Sequence, residues 1–235
     1  MNHIQSYGFT QNQLKTAAAV SMLIDHISAE LFPEIIVLRI IGRLAFPVFS
    51  FFIYEGFKYT HSKKRYFSRI LGLGILCVAV YYLYSGRIYG NVLITFSVSI
   101  IALYSISVLR ERITGNRKDK ACGMAFALGC FICIYFICTW IHIDYGFCGV
   151  LLPVFADIAD SLEGKKNGHM ALVGFGAGLL FLSMQTGGIQ YFSLLAIPIL
   201  AMYNGRRGSI HMKSFFYWFY PAHLAAIGII ALSIG

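Results

Sequence analysis

The sequence has little charge. Asp, Glu, Lys and Arg make up only 12% of its 235 residues, about half their share in a typical soluble domain. These charges collect in short clusters between long apolar runs, whereas amphipathic helices of soluble proteins carry charge along one face. This pattern excludes an ordinary water-soluble fold. The net charge of +9 would suggest nucleic acid in a soluble protein, but here we expect the lipid bilayer as a partner and no nucleic acid.

Several motifs of well-known chemistry are also missing. The sequence contains no Gly-rich phosphate loop, no HExxH and no GxSxG. Cys130 and Cys133 have CxxC spacing, but they lie in an apolar run where His142 is the one other evident ligand. We therefore interpret the cysteines as small packing residues and predict no metal site.

Apolar runs of helical length are abundant. A transmembrane helix needs about 20 apolar residues, and nine runs come near that length. We predict an all-α fold, a polytopic membrane helical bundle of about nine transmembrane helices that forms one integral-membrane domain over residues 1–235. The predicted spans are residues 14–31, 38–57, 66–84, 92–109, 121–141, 145–158, 169–184, 189–203 and 215–234.

The basic residues between these runs alternate from loop to loop. Basic loops face the cytoplasm in membrane proteins. The alternation therefore predicts a cytoplasmic N-terminus and an extracytoplasmic C-terminus. The basic clusters are Lys58, Lys63, Lys64, Arg65 and Arg69; Arg110, Arg112, Arg117, Lys118 and Lys120; Lys165 and Lys166; and Arg206, Arg207 and Lys213.

Ionisable residues also lie within the apolar runs, where they are costly and usually functional. Asp25 and His26 lie in the first run, and Arg43 lies in the second. At 1.5 Å per residue, His26 and Arg43 reach similar depths on neighbouring antiparallel helices. We expect these three residues to form one site, with a purely structural Asp25–Arg43 ion pair as the alternative.

Glu55 and His223 are two further polar residues in the apolar runs. Glu55 can bind the substrate or only bond to a neighbouring helix. His223 follows Pro221, whose ring removes a backbone hydrogen bond. The histidine can therefore either contact substrate or satisfy the carbonyl that the proline frees.

Lys15 and His26 are eleven residues apart. Eleven residues make about three helical turns, so both side chains project from one face, roughly 16 Å apart. A cation at the cytoplasmic rim with an imidazole far above it suits a long ligand with a phosphate head, such as coenzyme A. Lys58, Arg65 and Arg69 would add phosphate contacts. Alternatively, Lys15 only extends its amine toward the water interface.

Five segments together resemble the TraX family: residues 14–27, 38–49, 54–57, 91–95 and 216–224. The resemblance covers nearly the whole chain and implies a role in the N-terminal acetylation of pilin. It also implies a distant likeness to the membrane acyltransferase-3 superfamily, in which a first-helix Arg precedes a His by eleven positions. Lys15 and His26 match that pair. Residues 51–57, with Arg65 and Arg69, resemble the superfamily's FF-x-x-SGF stretch and arginine pair, with Glu55 in place of the serine.

Residues and resemblance together predict a membrane acyltransferase of the bacterial inner (cytoplasmic) membrane that uses acetyl-CoA. In this interpretation His26 is the general base, Asp25 orients it, and Arg43 stabilises the oxyanion or binds the acceptor. The acceptor is a peptide, pilin-like or otherwise, or a surface glycan. The residues expected to contact it are Arg39, Glu55, Asn91, Thr95, Tyr220 and His223.

Two other functions fit the sequence less well. Buried Asp, His, Arg and Glu also form proton relays in membrane transporters, although the inverted repeats typical of transporters are not visible. The polar residues can also join helices in a non-catalytic partner of a membrane assembly. Within the enzyme interpretation, N- or O-acetylation, direct transfer or an acetyl-histidine intermediate, and the oligomeric state all stay open.

Overall fold

The computed structural model describes residues 8–163, 169–209 and 212–234, and the regular secondary structure in these ranges is helical. The predicted all-α class is confirmed. A 3-10 helix, Gly188–Leu195, precedes α9. The α-helices are α1 Gln11–Leu31, α2 Ile36–Gly42, α3 Ala45–Tyr59, α4 Lys63–Ser85, α5 Val92–Arg112, α6 Arg117–Ile141, α7 Gly146–Glu163, α8 His169–Thr186, α9 Ala196–Ala201 and α10 Lys213–Ile234.

Local sequence explains where several helices begin and end. The Thr10 side chain accepts from the backbone N–H of Gln13, and the Gln13 side chain accepts from Thr10, which forms a capping box at the start of α1. Asn116 and Asp119 form the same motif before α6. α4 ends at Gly86, whose φ of 67° lies in the left-handed region that glycine adopts without strain.

The second predicted span is not one helix. A single helix over residues 38–57 is wrong, because α2 ends at Gly42 and α3 begins at Ala45. Pro47 has no N–H to donate to the carbonyl of Arg43, and its ring crowds that carbonyl, which favours a break at this point. Gly42 also lets α2 approach α1 closely, since a Cβ there would lie 2.3 Å from the side chain of Asp25.

The two shortest predicted spans differ from the structure at their ends. α7 continues to Glu163, five residues beyond the predicted end at residue 158. The run at 189–203 forms the 3-10 helix and the six-residue α9 instead of one α-helix. Pro198 lies in the first turn of α9, where it cannot bond to a carbonyl of the preceding turn, and this favours the tighter helix before it.

Among the described residues, five helical segments are long and apolar enough to cross a membrane: Ile36–Tyr59, Lys63–Leu83, Val92–Arg112, Arg117–Ile141 and His169–Thr186. The first combines α2 and α3. α6 also exposes large apolar side chains, such as Leu128 at 63% and Trp140 at 83%, which suits contact with lipid. The chain thus has the character of a membrane protein, while the count of nine spans and the orientation of the termini stay predictions.

The chain divides into two compact units. The terminal unit comprises residues 1–49 and 183–235, and the central unit comprises residues 50–182. In the central unit, α5 packs against α4, α6 and α7. In the terminal unit, α1 packs against α2 and α10, and α2 contacts the 3-10 helix. α1 and α10, the first and last helices among the described residues, are therefore neighbours, and each carries one of the histidines singled out in the sequence.

Candidate active site

A histidine pair joins α1 to α10. Nδ1 of His26 lies 2.7 Å from Nε2 of His223, and the two ring planes are nearly parallel, at 11°. His223 is 7% exposed, whereas His26 is half-buried. The imidazole of His223 is therefore enclosed, and that of His26 keeps part of its surface open.

The bonding of His223 fixes the direction of this hydrogen bond. Its Nδ1 lies 2.8 Å from the carbonyl oxygen of Phe219, and a carbonyl oxygen can only accept, so Nδ1 carries the hydrogen. Nε2 of neutral His223 is then an acceptor, and Nδ1 of His26 donates to it. Neutral His26 consequently has its remaining lone pair on Nε2. A carbonyl, His223 and His26 thus form a directed chain.

This geometry also bears on the structural alternative for His223. Pro221 frees the carbonyl of Tyr217, four residues before it, whereas His223 bonds to the carbonyl of Phe219. The histidine therefore does not replace the bond that the proline removes. Tyr220 packs edge-on against both imidazoles, with ring centroids 6.1 Å from His26 and 5.3 Å from His223.

A cluster of charged side chains, the ion cluster, forms around Asp25. Nη2 of Arg43 donates to both carboxylate oxygens of Asp25 at 2.8 Å, and Nη1 of Arg39 lies 3.3 Å from Oδ1 of the same carboxylate. Asp25 directly precedes His26 on α1. The predicted meeting of Asp25 with Arg43 therefore occurs, and Arg39 joins them.

One member of this cluster was not predicted from the sequence. Gln190, on the 3-10 helix, is 1% exposed, and its Oε1 accepts from Nη1 of Arg43 at 3.4 Å. Gly187 and Gly188 come shortly before it, both with positive φ, 71° and 54°. The paired glycines were the available signal, because they mark a turn that few other residues could form.

Asn91 and Thr95, expected at the acceptor site, lie in the central unit and bond to backbone groups. Asn91 caps α5 and donates to the carbonyl of Gly74 at 2.9 Å. The fully buried Thr95 donates to the carbonyl of Asp144 at 2.7 Å. In the adjacent loop Tyr89 donates to the Asp144 carboxylate, and burial together with that negative charge raises the pKa of Tyr89. These bonds give both predicted site residues a structural role.

The residues expected to hold coenzyme A are divided between the units. Lys15 lies half-buried on α1 in the terminal unit, while Arg65 and Arg69 are exposed on α4 in the central unit. Lys58 forms an ion pair with Asp160 of α7 at 2.7 Å. Glu55 lies half-buried on α3.

α7 supplies acidic partners that were not predicted from the sequence. Asp160 holds Lys58, and Asp157 pairs with Arg110 of α5 at 2.9 Å. Asp157 and Asp160 are three residues apart, so they share one face of α7. Acidic residues at that spacing in an apolar helix were the signal that could have found them.

An open groove of about 820 Å³ runs along α1 in the terminal unit. Its polar end includes Thr10 and Thr16, and its apolar end includes Val20, Ile24 and Leu44. Lys15 and Ile24 are nine residues apart, or two and a half turns, and therefore point to opposite sides of α1. The Lys15–His26 face and the groove are two distinct surfaces of one helix.

The comparisons with known proteins agree with the resemblance seen in the sequence. The family model described as TraX protein matches residues 10–231. A protein of Dichelobacter nodosus named as a probable fimbrial assembly protein is 27% identical over 252 residues, which cover 93% of this chain and 94% of that protein. No solved structure matches the chain.

A second relative is an uncharacterised protein of Rickettsia prowazekii. It is 33% identical over 150 residues, which cover 63% of this chain. The match spans 55% of the Rickettsia protein, so the two chains are alike over about half of that relative's length.

Proposed function

The chain belongs to the TraX family, and on that premise we propose that it is a membrane acyltransferase that moves an acetyl group from acetyl-CoA to an amine or hydroxyl. The acceptor is a peptide, pilin-like or otherwise, or a surface glycan. The relative named as a probable fimbrial assembly protein favours the pilin-like peptide. The enzyme acts in the bacterial inner membrane, with the N-terminus in the cytoplasm and nine helical spans.

The directed chain from the Phe219 carbonyl through His223 to His26 carries this proposal. A general base needs an available lone pair held in a fixed direction. His223 holds Nδ1 of His26 at 2.7 Å, so the second nitrogen, Nε2, is the one that can accept a proton. We therefore assign His26 as the base and His223 as its positioning residue.

The reaction follows from that assignment. The acceptor nitrogen or oxygen attacks the thioester carbonyl carbon, while Nε2 of His26 takes the acceptor's proton. The resulting tetrahedral intermediate has one negatively charged oxygen. Its collapse breaks the carbon–sulfur bond, and the departing thiolate takes the proton back from His26. Acetylated acceptor and free coenzyme A are the products, and His26 returns to its neutral form.

The ion cluster contributes positive charge near the base. Asp25 holds the guanidinium groups of Arg39 and Arg43 in place, so its role in the proposal is to orient these arginines. Since both arginines share one carboxylate, the trio has a net charge of +1. That charge supports stabilisation of a negatively charged intermediate or ligand group.

A substitution at His26 tests the proposal. Asn keeps polarity and approximate size but cannot act as a base. We expect purified His26→Asn to fold and bind acetyl-CoA normally, while acceptor-dependent release of thiol per folded molecule falls roughly 100-fold or more. Cys130→Ala, a small change on α6, is the control and should keep wild-type turnover.

The same measurement separates the other two functions. A transporter or a non-catalytic assembly partner would release no thiol from acetyl-CoA in the wild-type protein with any acceptor. A folded His26→Asn protein with near wild-type turnover would show that His26 is not the base. Turnover that falls only in proportion to the folded fraction would show that His26 is structural.

A further inference from the structure

The ion cluster of the terminal unit has more hydrogen-bond donors than acceptors. Arg39 and Arg43 can donate but cannot accept, and both use the carboxylate of Asp25. The Asp25 and Arg43 side chains are only 15% and 12% exposed, and that of Arg39 is 30% exposed. Arg39 therefore reaches the solvent-accessible edge of a mostly enclosed, positively charged group.

Gln190 adds a further donor to the same cluster. Arginine only donates, so the Gln190 side chain must turn its Oε1 toward Arg43. The amide nitrogen, Nε2, then points away from Arg43. Nε2 is buried and has no hydrogen-bond partner among the described residues. An unsatisfied buried donor costs about 1–3 kcal/mol, so native proteins retain few of them. Its position here points to an acceptor atom outside the described residues.

The backbone before Gln190 holds the amide in place. Gly187 and Gly188 both have positive φ, and a Cβ at either position would meet nothing within 4 Å. The glycines are therefore required by conformation and not by lack of space. The Gln190 carbonyl also accepts from Ser183 at 3.3 Å. The chain thus fixes this buried amide against Arg43.

We propose that Arg39, Arg43 and Gln190 form a binding site for an oxyanion group of a ligand, either a carboxylate or a phosphate. Two guanidinium groups supply charge, and the amide N–H supplies a directed bond to one oxygen. In the proposed acyltransferase this group belongs to the acetyl acceptor, and that assignment rests on the proposed function. The binding of the anion itself does not.

Thermal unfolding of the purified protein in detergent tests the site without measuring activity. A ligand that binds only the folded state raises the Tm with its concentration. We expect sodium acetate, sodium phosphate or both to raise the Tm above that in sodium chloride at matched ionic strength. A response to acetate identifies a carboxylate site, and a response to phosphate identifies a phosphate site. No excess over chloride for either anion would overturn the proposal, with Nε2 of Gln190 then met by water alone.

Three variants locate the effect. Gln190→Glu replaces the donor by a second carboxylate and should weaken anion binding about tenfold or more. Arg39→Gln removes a partly exposed charge, so it answers the same question if Gln190→Glu does not fold. Arg206→Gln removes one positive charge from an exposed loop of the same unit and should leave the anion response intact. An unchanged response in folded Gln190→Glu and Arg39→Gln would place the anion elsewhere.

The two proposals fail separately. Loss of the anion response with intact thiol release would remove this site and leave the acyltransferase standing. An anion response in a protein that never releases thiol from acetyl-CoA would keep the anion site and remove the acyltransferase function.

Discussion

The side chains of the candidate site work in pairs, such as His26 with His223 and Asp25 with Arg43. Asp25, His26, Arg43 and His223 stand out because polar groups are rare in apolar runs. The His26–His223 bond joins positions 197 residues apart, and no local pattern predicts such a pairing. Gln190 escaped notice for a related reason, since an amide has no charge to make it conspicuous. The role of each polar side chain depends on whether its neighbour donates or accepts a hydrogen bond.

His223 provides the prediction that belongs to this scale. Its imidazole donates to Phe219 and accepts from His26, and glutamine cannot reproduce both bonds at the same positions. We expect His223→Gln to lower turnover roughly 10- to 100-fold, with acetyl-CoA affinity unchanged. The pH–rate profile should also change, because the proton acceptor loses the partner that fixes its hydrogen.

His61→Gln is the matched control for this substitution. His61 is an exposed residue in the turn before α4, so the same chemical change there should leave both turnover and the pH profile as in the wild type. A folded His223→Gln enzyme with an unaltered pH profile would contradict a positioning role. A loss of folded protein with normal turnover per molecule would indicate that His223 only packs.

The helical class and most helix positions were predictable from the sequence, but the interruptions of the helices were not. Hydrophobic length identifies α4, α5, α6 and α8 almost to their ends. It does not register that Pro47 separates α2 from α3, because proline is tolerated in some membrane helices. Nor does it distinguish a 3-10 helix from an α-helix in a short apolar run. Backbone hydrogen bonding decides both cases.

α1 provides the prediction at the element scale. The helix is unbroken from Gln11 to Leu31, so Lys15 and His26 keep the common face that their spacing predicted. If that face guides coenzyme A, Lys15→Ala should weaken acetyl-CoA binding about tenfold, because a charged phosphate contact is lost. Lys15→Glu should weaken it further, because it repels the phosphates. Equilibrium binding of acetyl-CoA to purified protein measures both effects.

The groove on the other side of α1 provides the opposing test. Val20 is 51% exposed and lines the groove, so Val20→Trp fills part of it without touching the Lys15 face. We expect this variant to bind acetyl-CoA as the wild type does. Weak binding by Val20→Trp together with normal binding by Lys15→Ala would move the coenzyme from the Lys15 face to the groove.

At the scale of the whole molecule, the charge of the loops gave a topology but not the arrangement of the helices. The alternation of basic clusters orders the spans along the chain. It does not tell which spans are in contact with one another. The two compact units are defined by those tertiary contacts. The terminal unit draws on both ends of the sequence, which a search for composition shifts along the chain cannot detect.

Reporter fusions test the predicted topology. Nine spans place Lys118 in the cytoplasm and Gly235 outside, so fusions at these positions should give opposite signals. A fusion at Asp144, in a loop with few basic residues, should match the signal at Gly235. A cytoplasmic signal at Gly235 would refute the odd number of spans.

The bond between His26 and His223 has a consequence for how the protein is made. Translation supplies α1 before α10, and the two histidines are 197 residues apart in the chain. The proton-accepting arrangement cannot form while the ribosome is still adding the central unit, since its second half has not been synthesised. Nascent chains that stop before residue 223 are therefore expected to be inert, however well their earlier helices have inserted. In the proposed acyltransferase, such late completion keeps every unfinished copy from consuming acetyl-CoA.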